Sequence, residues 1–126
     1  MNSLGVGVAA TGTAGQIVAT NNITAYYSDD RLKTRLGNIC DALAKIRSLN
    51  GFHYTANELA VSLGYEVKPE VGVSAQEVQK VLPDIVVPAP IDAKYWTVHY
   101  ERLTPLLIEA IKELSVEVDA IRGRLA

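Results

Sequence analysis

Residues 1–27 contain no Lys, Arg, Asp or Glu. Nothing in such a segment repels another chain from its backbone edges, and its small side chains cannot cover a core alone. This is stalk composition, suited to pairing with further copies of the chain or with a shaft that precedes it. Cysteine is also nearly absent. A single Cys40 excludes an intrachain disulfide, and one cysteine with His53 and His99 offers no metal-ligand spacing, so neither a metal nor a cofactor is expected. Cys40 has apolar neighbours and is expected to pack as a small hydrophobe. No apolar run approaches the ~20 residues that cross a bilayer. The N-terminus lacks the basic-then-apolar order of a signal peptide, so we expect a soluble chain with no membrane partner, made without that route of secretion. Clusters of Lys and Arg are missing too. With a net charge of -2, the chain has no basic stripe for phosphates, and nucleic acid is not an expected partner.

What remains is 126 residues, 48% of them hydrophobic, enough for about one domain with a core. The fold class is α+β, with an N-terminal β stalk segment, a small mixed α/β body and a long C-terminal helix. In the stalk, Gln16 to Thr20 and Ile23 to Tyr27 are short β-branched or aromatic runs. Asn21-Asn22 between them predicts a hairpin that ends at Tyr27.

From Ser28 the chain becomes charged. Leu36, Ile39, Leu43, Ile46 and Leu49 follow the three-and-four spacing of an amphipathic helix closed by Asn50-Gly51, with Gly37 weakening its first turn. Phe52-His53-Tyr54 alternates like a strand, and His53 is read as a structural or exposed residue. Asn57 to Leu63 predicts a short helix stopped by Gly64. Val71-Gly72-Val73 predicts a strand. Ser74 with Glu77 fits a capping box that opens a helix ended by Pro83. Ile85-Val86-Val87 predicts a strand before a Pro88-Ala89-Pro90 turn, and Tyr95 to Tyr100 a half-buried strand that places Tyr95, Trp96 and Tyr100 in the core. From about residue 103 to 126 a last helix, tolerating Pro105 in its first turn, carries Leu107, Ile111, Leu114, Val118, Ile121 and Leu125 at alternating steps of four and three. That is a coiled-coil seam, and one copy leaves it wet. Under three heptads cannot hold helices together unaided, so the seam is expected to supplement a larger oligomeric contact.

The chemistry concentrates in Ser28-Asp29-Asp30-Arg31-Leu32-Lys33. One reading is an ordinary helix start, with Ser28 or Asp30 as N-cap and Asp29 near the positive helix end. The other is a nucleophile with its base. A serine hydroxyl needs a proton acceptor, and lysine serves only when its pKa falls from its ordinary ~10.4 toward neutrality. Burial, Arg31 and the helix end would lower it, while Asp29 and Asp30 would raise it if they faced Lys33. On a continuous helix residues five apart diverge by roughly 140°, so a Ser28–Lys33 pair requires Ser28 to precede the helix. A serine beside its own upstream carbonyl can attack it through a five-membered ring, giving an ester that water hydrolyses and cutting the chain between Tyr27 and Ser28. Oxyanion donors could come from Asn21, Asn22, Gln76 or a backbone amide.

The run from Asn22 to Lys33 carries a resemblance. So do Ala42-Leu43 with Ile46 and Leu49, Phe52 and Tyr54, and Gly72 with Ala75-Gln76-Glu77-Val78 and Val81-Leu82-Pro83. It continues through Tyr100-Glu101, Leu103, Pro105-Leu106-Leu107 and Glu109 to Leu114. From about Gly12 onward the chain resembles the C-terminal intramolecular chaperone auto-processing domain of phage tailspikes and tail fibres, the endosialidase-chaperone family classed as peptidase S74.

The resemblance implies a homotrimer, held in part by the C-terminal coiled coil, that guides folding of the upstream fibre segment of its own chain. It implies self-cleavage between Tyr27 and Ser28, with Ser28 as nucleophile, Lys33 as general base, and Asp29, Asp30, Gln76 and Glu77 as supporting groups. Residues 1–27 would be the end of the fibre and 28–126 the auto-processing domain. It would be assembled in the host cytoplasm, carried on the virion, and released after the cut. A non-cleaving trimeric tip that only sets chain register is the alternative. A host-receptor adhesin would need an exposed aromatic patch.

Overall fold

The computed structural model describes residues 2–125. Met1 and Ala126, the outer ends of the expected stalk and of the expected last helix, lie outside the described residues. The chain forms two compact units, Met1–Leu36 and Gly37–Ala126.

The first unit holds β1 (Ser3–Val6) and β2 (Gln16–Ala19), paired in parallel with Ser3 opposite Gln16 and Val6 opposite Ala19. The hairpin expected from residues 16–27 is therefore corrected. Thr11 to Gly15 carry the chain back instead, with the Gly12 N–H donating to Ser3 Oγ (3.0 Å) and the Gly15 N–H to the Asn2 carbonyl (2.6 Å). Residues 23–27 form no strand, because Tyr26 takes a left-handed backbone (φ 62°) that breaks an extended run. Leu4, Val6 and Ile17 share one face of the pair, and all three are exposed.

The second unit is mixed α/β. Its helices are α1 (Ala42–Arg47), α2 (Glu58–Ser62), α3 (Ala75–Val81) and α4 (Thr104–Leu125). Two antiparallel strand pairs join them, β3 (Phe52–Tyr54) with β4 (Glu70–Gly72) and β5 (Val86–Ala89) with β6 (Asp92–Val98). Only the last part of the helix expected from Leu36 forms. Gly37 (φ 131°) and Asp41 (φ 51°) both leave helical space, so α1 starts at Ala42 and Leu36 is almost fully exposed. Cys40 precedes that start, off the buried stripe, and is exposed rather than packed.

Asn57 caps α2 by accepting the Ala60 N–H (2.9 Å). Ser74 caps α3 by accepting the Glu77 N–H (3.3 Å), but the Glu77 carboxylate accepts from Asn50 Nδ2 (2.8 Å) instead of closing the box. The strand expected over 95–100 lies earlier, at Asp92–Val98, because Tyr100–Leu103 coil into a tight turn that leads into α4. The turn before it falls at Pro90-Ile91.

Two apolar patches make the core. Val78 of α3 packs with Ile85, Val86 and Val98, and Ala42 of α1 packs with Leu106 and Ala110 of α4. Leu49, Leu82 and Leu103 border both patches and tie them into one. Burying a leucine such as Leu106 contributes roughly 1.5–3 kcal/mol. Trp96 and Tyr100, expected in this core, are 44% and 49% exposed, while Tyr95 is half-buried. Tyr100 lies beyond the end of β6, in the tight turn that leads into α4. His53 is exposed, as its strand position suggested.

The N-terminus of α1 has an unexpected partner. Asp41, with its left-handed backbone, makes no side-chain cap. The carboxylate of Glu113, one turn beyond Ala110 on α4, accepts from the Ala42 N–H (2.7 Å) and the Leu43 N–H (3.3 Å). A charged acceptor on orphan helix donors stabilises by about 1.5–3 kcal/mol.

Candidate active site

The hexapeptide is organised by hydrogen bonds between residues two to five apart. Asp29 is extended (φ −62°, ψ 127°) and caps a tight helical turn, Asp30–Leu32, by accepting the Arg31 N–H at 2.9 Å. The Leu32 and Lys33 N–H groups donate to the carbonyls of Asp29 (3.0 Å) and Asp30 (3.2 Å). Lys33 then returns to extended backbone. One turn of helix between two extended residues is what brings positions 28 and 33 together, where a continuous helix would part them. Lys33 Nζ donates to Ser28 Oγ at 3.0 Å.

The aspartates face other cations. Arg31 grips Asp29 with two nitrogens, Nε to Oδ1 at 3.1 Å and Nη2 to Oδ2 at 2.8 Å. Those hydrogen bonds, with the Arg31 N–H second, hold the Asp29 carboxyl below the usual carboxylate range, and Asp29 in turn raises the Arg31 guanidinium. Arg35 Nε takes Asp30 Oδ1 at 3.2 Å. Both aspartates of the hexapeptide are thus engaged by arginines. The nitrogen of Lys33 is directed at the serine oxygen.

Tyr26 and Tyr27 stack at 5.0 Å with planes 22° apart. Consecutive side chains of an extended strand point to opposite faces, so this stack exists because Tyr26 is left-handed. Placing a non-glycine residue there costs about 1–2 kcal/mol, and an aromatic pair returns about 0.5–1.5 kcal/mol. The two nearly balance.

The remaining candidates have local roles. Asn21 Oδ1 accepts the Asn22 N–H at 2.8 Å. In the second unit, Ser74 Oγ donates to Gln76 Oε1 at 3.5 Å and Glu77 binds Asn50. Leu107, Ile111, Leu114, Val118, Ile121 and Leu125 are all exposed along α4, from 37% at Val118 to 82% at Leu125. Among the described residues no group of three or more His, Cys, Asp or Glu could hold a metal ion, and no helix is long and apolar enough to cross a membrane.

Sequence reasoning missed three residues here: Arg35, the left-handed Tyr26, and Glu113. Arg35 stands five positions after Asp30, outside any helical pairing rule. A tyrosine carries no backbone signal. Glu113 acts on residues about seventy positions away.

Residues 28–87 match the family model described as chaperone of endosialidase, Peptidase_S74. Over 117 residues, 88% of this chain, the sequence is 34% identical to the long tail fiber protein Gp37 of Enterobacteria phage K3, and equally to that of Enterobacteria phage T2. The chain spans 9% of the length of these curated relatives. Ser28 and Lys33 both fall inside the matched segment, and residues 28–87 of this chain belong to the chaperone-of-endosialidase family, peptidase S74.

Proposed function

We propose that this chain is the intramolecular chaperone of a phage tail fibre, which trimerises, assists folding of the fibre segment before it, and releases itself by cutting between Tyr27 and Ser28. The observation that carries the reading is the 3.0 Å contact between Lys33 Nζ and Ser28 Oγ, made while Arg31 and Arg35 occupy the two aspartates. In its neutral form Lys33 accepts the hydroxyl proton along that same line. Ser28 Oγ bonds to the Tyr27 carbonyl carbon, the Tyr27–Ser28 C–N bond breaks, and the proton passes to the departing Ser28 nitrogen. Water then hydrolyses the Tyr27 ester, regenerating the hydroxyl and freeing the Tyr27 carboxylate. Each chain acts once, on itself. The fibre end is residues 1–27 and the released domain 28–126.

Family membership of residues 28–87 and likeness to two long tail fibre proteins support the fibre context, and with it a place on the virion after assembly in the host cytoplasm. The trimer is supported by the stripe on α4, which has the spacing of a coiled-coil seam and is left exposed by the described residues. That stripe equally suits a second reading, a trimeric tip that never cuts. Intact-mass analysis of the wild-type protein beside Ser28→Ala and Lys33→Ala separates the two. Fragments ending at Tyr27 and beginning at Ser28 in the wild type alone are expected, and three identical intact masses would leave only the tip.

A further inference from the structure

Two side chains reach back across the turn of the hexapeptide, and each spans five positions. Lys33 Nζ meets Ser28 Oγ, and Arg35 Nε meets Asp30 Oδ1. The spacing has a backbone cause. Lys33 leaves the turn in extended conformation, where alternate residues share a side of the chain, so positions 33 and 35 face the same way. What holds the turn differs between its two ends. At its start Asp29 caps the Arg31 N–H, and Arg31 grips the Asp29 carboxylate in return. At its end the Lys33 N–H donates to the Asp30 carbonyl, and residues 34–40 belong to no helix or strand. A single turn fixes several dihedral angles for few hydrogen bonds and does not stand unaided. The Arg35–Asp30 pair is the tie beyond it, made inside the first unit, which ends at Leu36.

Resting on the self-cleavage reading, we infer that Arg35 is a positioning residue for the cut, whose bond to Asp30 keeps the segment carrying Lys33 folded back over the turn, with Nζ on the Ser28 hydroxyl. The Asp29 cap fixes the side of the turn that carries the nucleophile, and the Arg35 tie fixes the side that carries the base. Arg35 touches no reacting atom. It acts through the backbone between positions 30 and 35, by raising the fraction of chains in which base and nucleophile are in contact. Both partners are largely exposed, at 76% and 71%, so solvent limits what the pair adds. A few-fold change in rate is the scale on which such a tie works.

The test follows appearance of the 28–126 fragment in the full chain, for wild type, Arg35→Gln, Arg35→Lys, Asp30→Asn and the Asp30→Asn/Arg35→Gln double variant, with Ser28→Ala as blank and the melting temperature of each protein alongside. Arg35→Gln removes the cation and should cut about three-fold more slowly. Arg35→Lys should recover most of the rate, because the tie is one bond from one nitrogen, which an ammonium also makes. In the Asp30→Asn background Arg35→Gln should slow the cut no further, since the partner it would lose is already gone. Melting temperatures should stay together, because neither residue belongs to a core patch. An uncut wild type would overturn the self-cleavage reading and this inference with it. A cut wild type with Arg35→Gln at the same rate overturns the inference alone, and so does equal slowing by Arg35→Gln with and without Asp30. Should Arg35→Gln fail to fold, Asp30→Asn breaks the same tie from its other end, and its cutting at the wild-type rate removes any role for the pair.

Discussion

The two units of this chain are held by different kinds of contact. The side-chain bonds of Ser28, Asp29 and Asp30 with Arg31, Lys33 and Arg35 join residues two to five positions apart, and all of these groups are exposed. In the second unit the decisive contacts are long-range. Glu113 reaches back to Ala42 and Leu43, Asn50 meets Glu77, and the Tyr100 hydroxyl accepts the Val73 N–H at 3.2 Å. The first arrangement can be assembled by a short peptide turn and contributes little to stability, since exposed ion pairs are screened by solvent. The second must wait for the fold. A chain built this way can lose its chemistry without losing its structure, and weaken its structure without touching a reacting atom.

The comparison can be broken from either side. The largest effect is expected from Lys33→Ala, which removes the proposed general base and should slow self-cleavage by about 10²–10⁴-fold. Its melting temperature should match wild type, and a clear drop would mean the hexapeptide carries structure after all. Leu106→Ala acts on the other side. Leu106 is fully buried between α1 and α4, so truncation should cost about 2–5 kcal/mol in denaturant unfolding.

Glu113→Gln comes next. It keeps the shape but replaces a charged acceptor on two α1 donors by a neutral one, and a loss of about 1 kcal/mol is expected. A null result would show that α1 is held by its apolar face alone.

The smallest effect is a pH dependence. Tyr54 Oη donates to Glu70 Oε2 at 2.9 Å across the β3–β4 pair, and that bond, ahead of burial and the Glu70 charge, raises the Tyr54 phenol above its ordinary value. A proton held more tightly in the folded state stabilises it fully below the unfolded pKa of about 10 and is lost as pH climbs through the higher folded value. Tyr54→Phe should therefore lower stability modestly below about pH 10, where the bond is fully made, and flatten the alkaline limb of the profile above it. An unchanged alkaline limb would mean the bond is not kept in solution.

A Cβ on Gly72 would lie 2.6 Å from Tyr100 Oη and 3.1 Å from Tyr54 Cε1. The glycine is what lets both rings lie over the β3–β4 pair. Nothing around Gly72 in the sequence announces that, because the two tyrosines come from positions 54 and 100.

Local features were largely legible from residue order. The short helix α2, the Ser74 cap of α3, the strand at Phe52–Tyr54, the α4 helix and the approach of Ser28 to Lys33 each depend on neighbours within a few positions, where residue type sets backbone preference and reach. The failures share one cause. The hairpin at 16–27, the long first helix, and the packing of Cys40, Trp96 and Tyr100 all rest on runs of suitable residues. Propensity cannot say which other segment competes for them. β2 pairs with β1 rather than with residues 23–27, Gly37 and Asp41 interrupt the helix, and Tyr100 falls in the turn after β6.

By itself the sequence determined the uncharged segment ahead of Ser28, the serine and lysine at a spacing that one helical turn converts into contact, and the apolar stripe along α4. These follow from composition and period alone. Only the tertiary structure decided that Glu113 stands in for the cap Asp41 does not supply, and that Asn50 takes the Glu77 carboxylate out of its capping box. The reason is the same in each case. Several partners were within reach of each group, and which of them wins depends on where the rest of the backbone has gone.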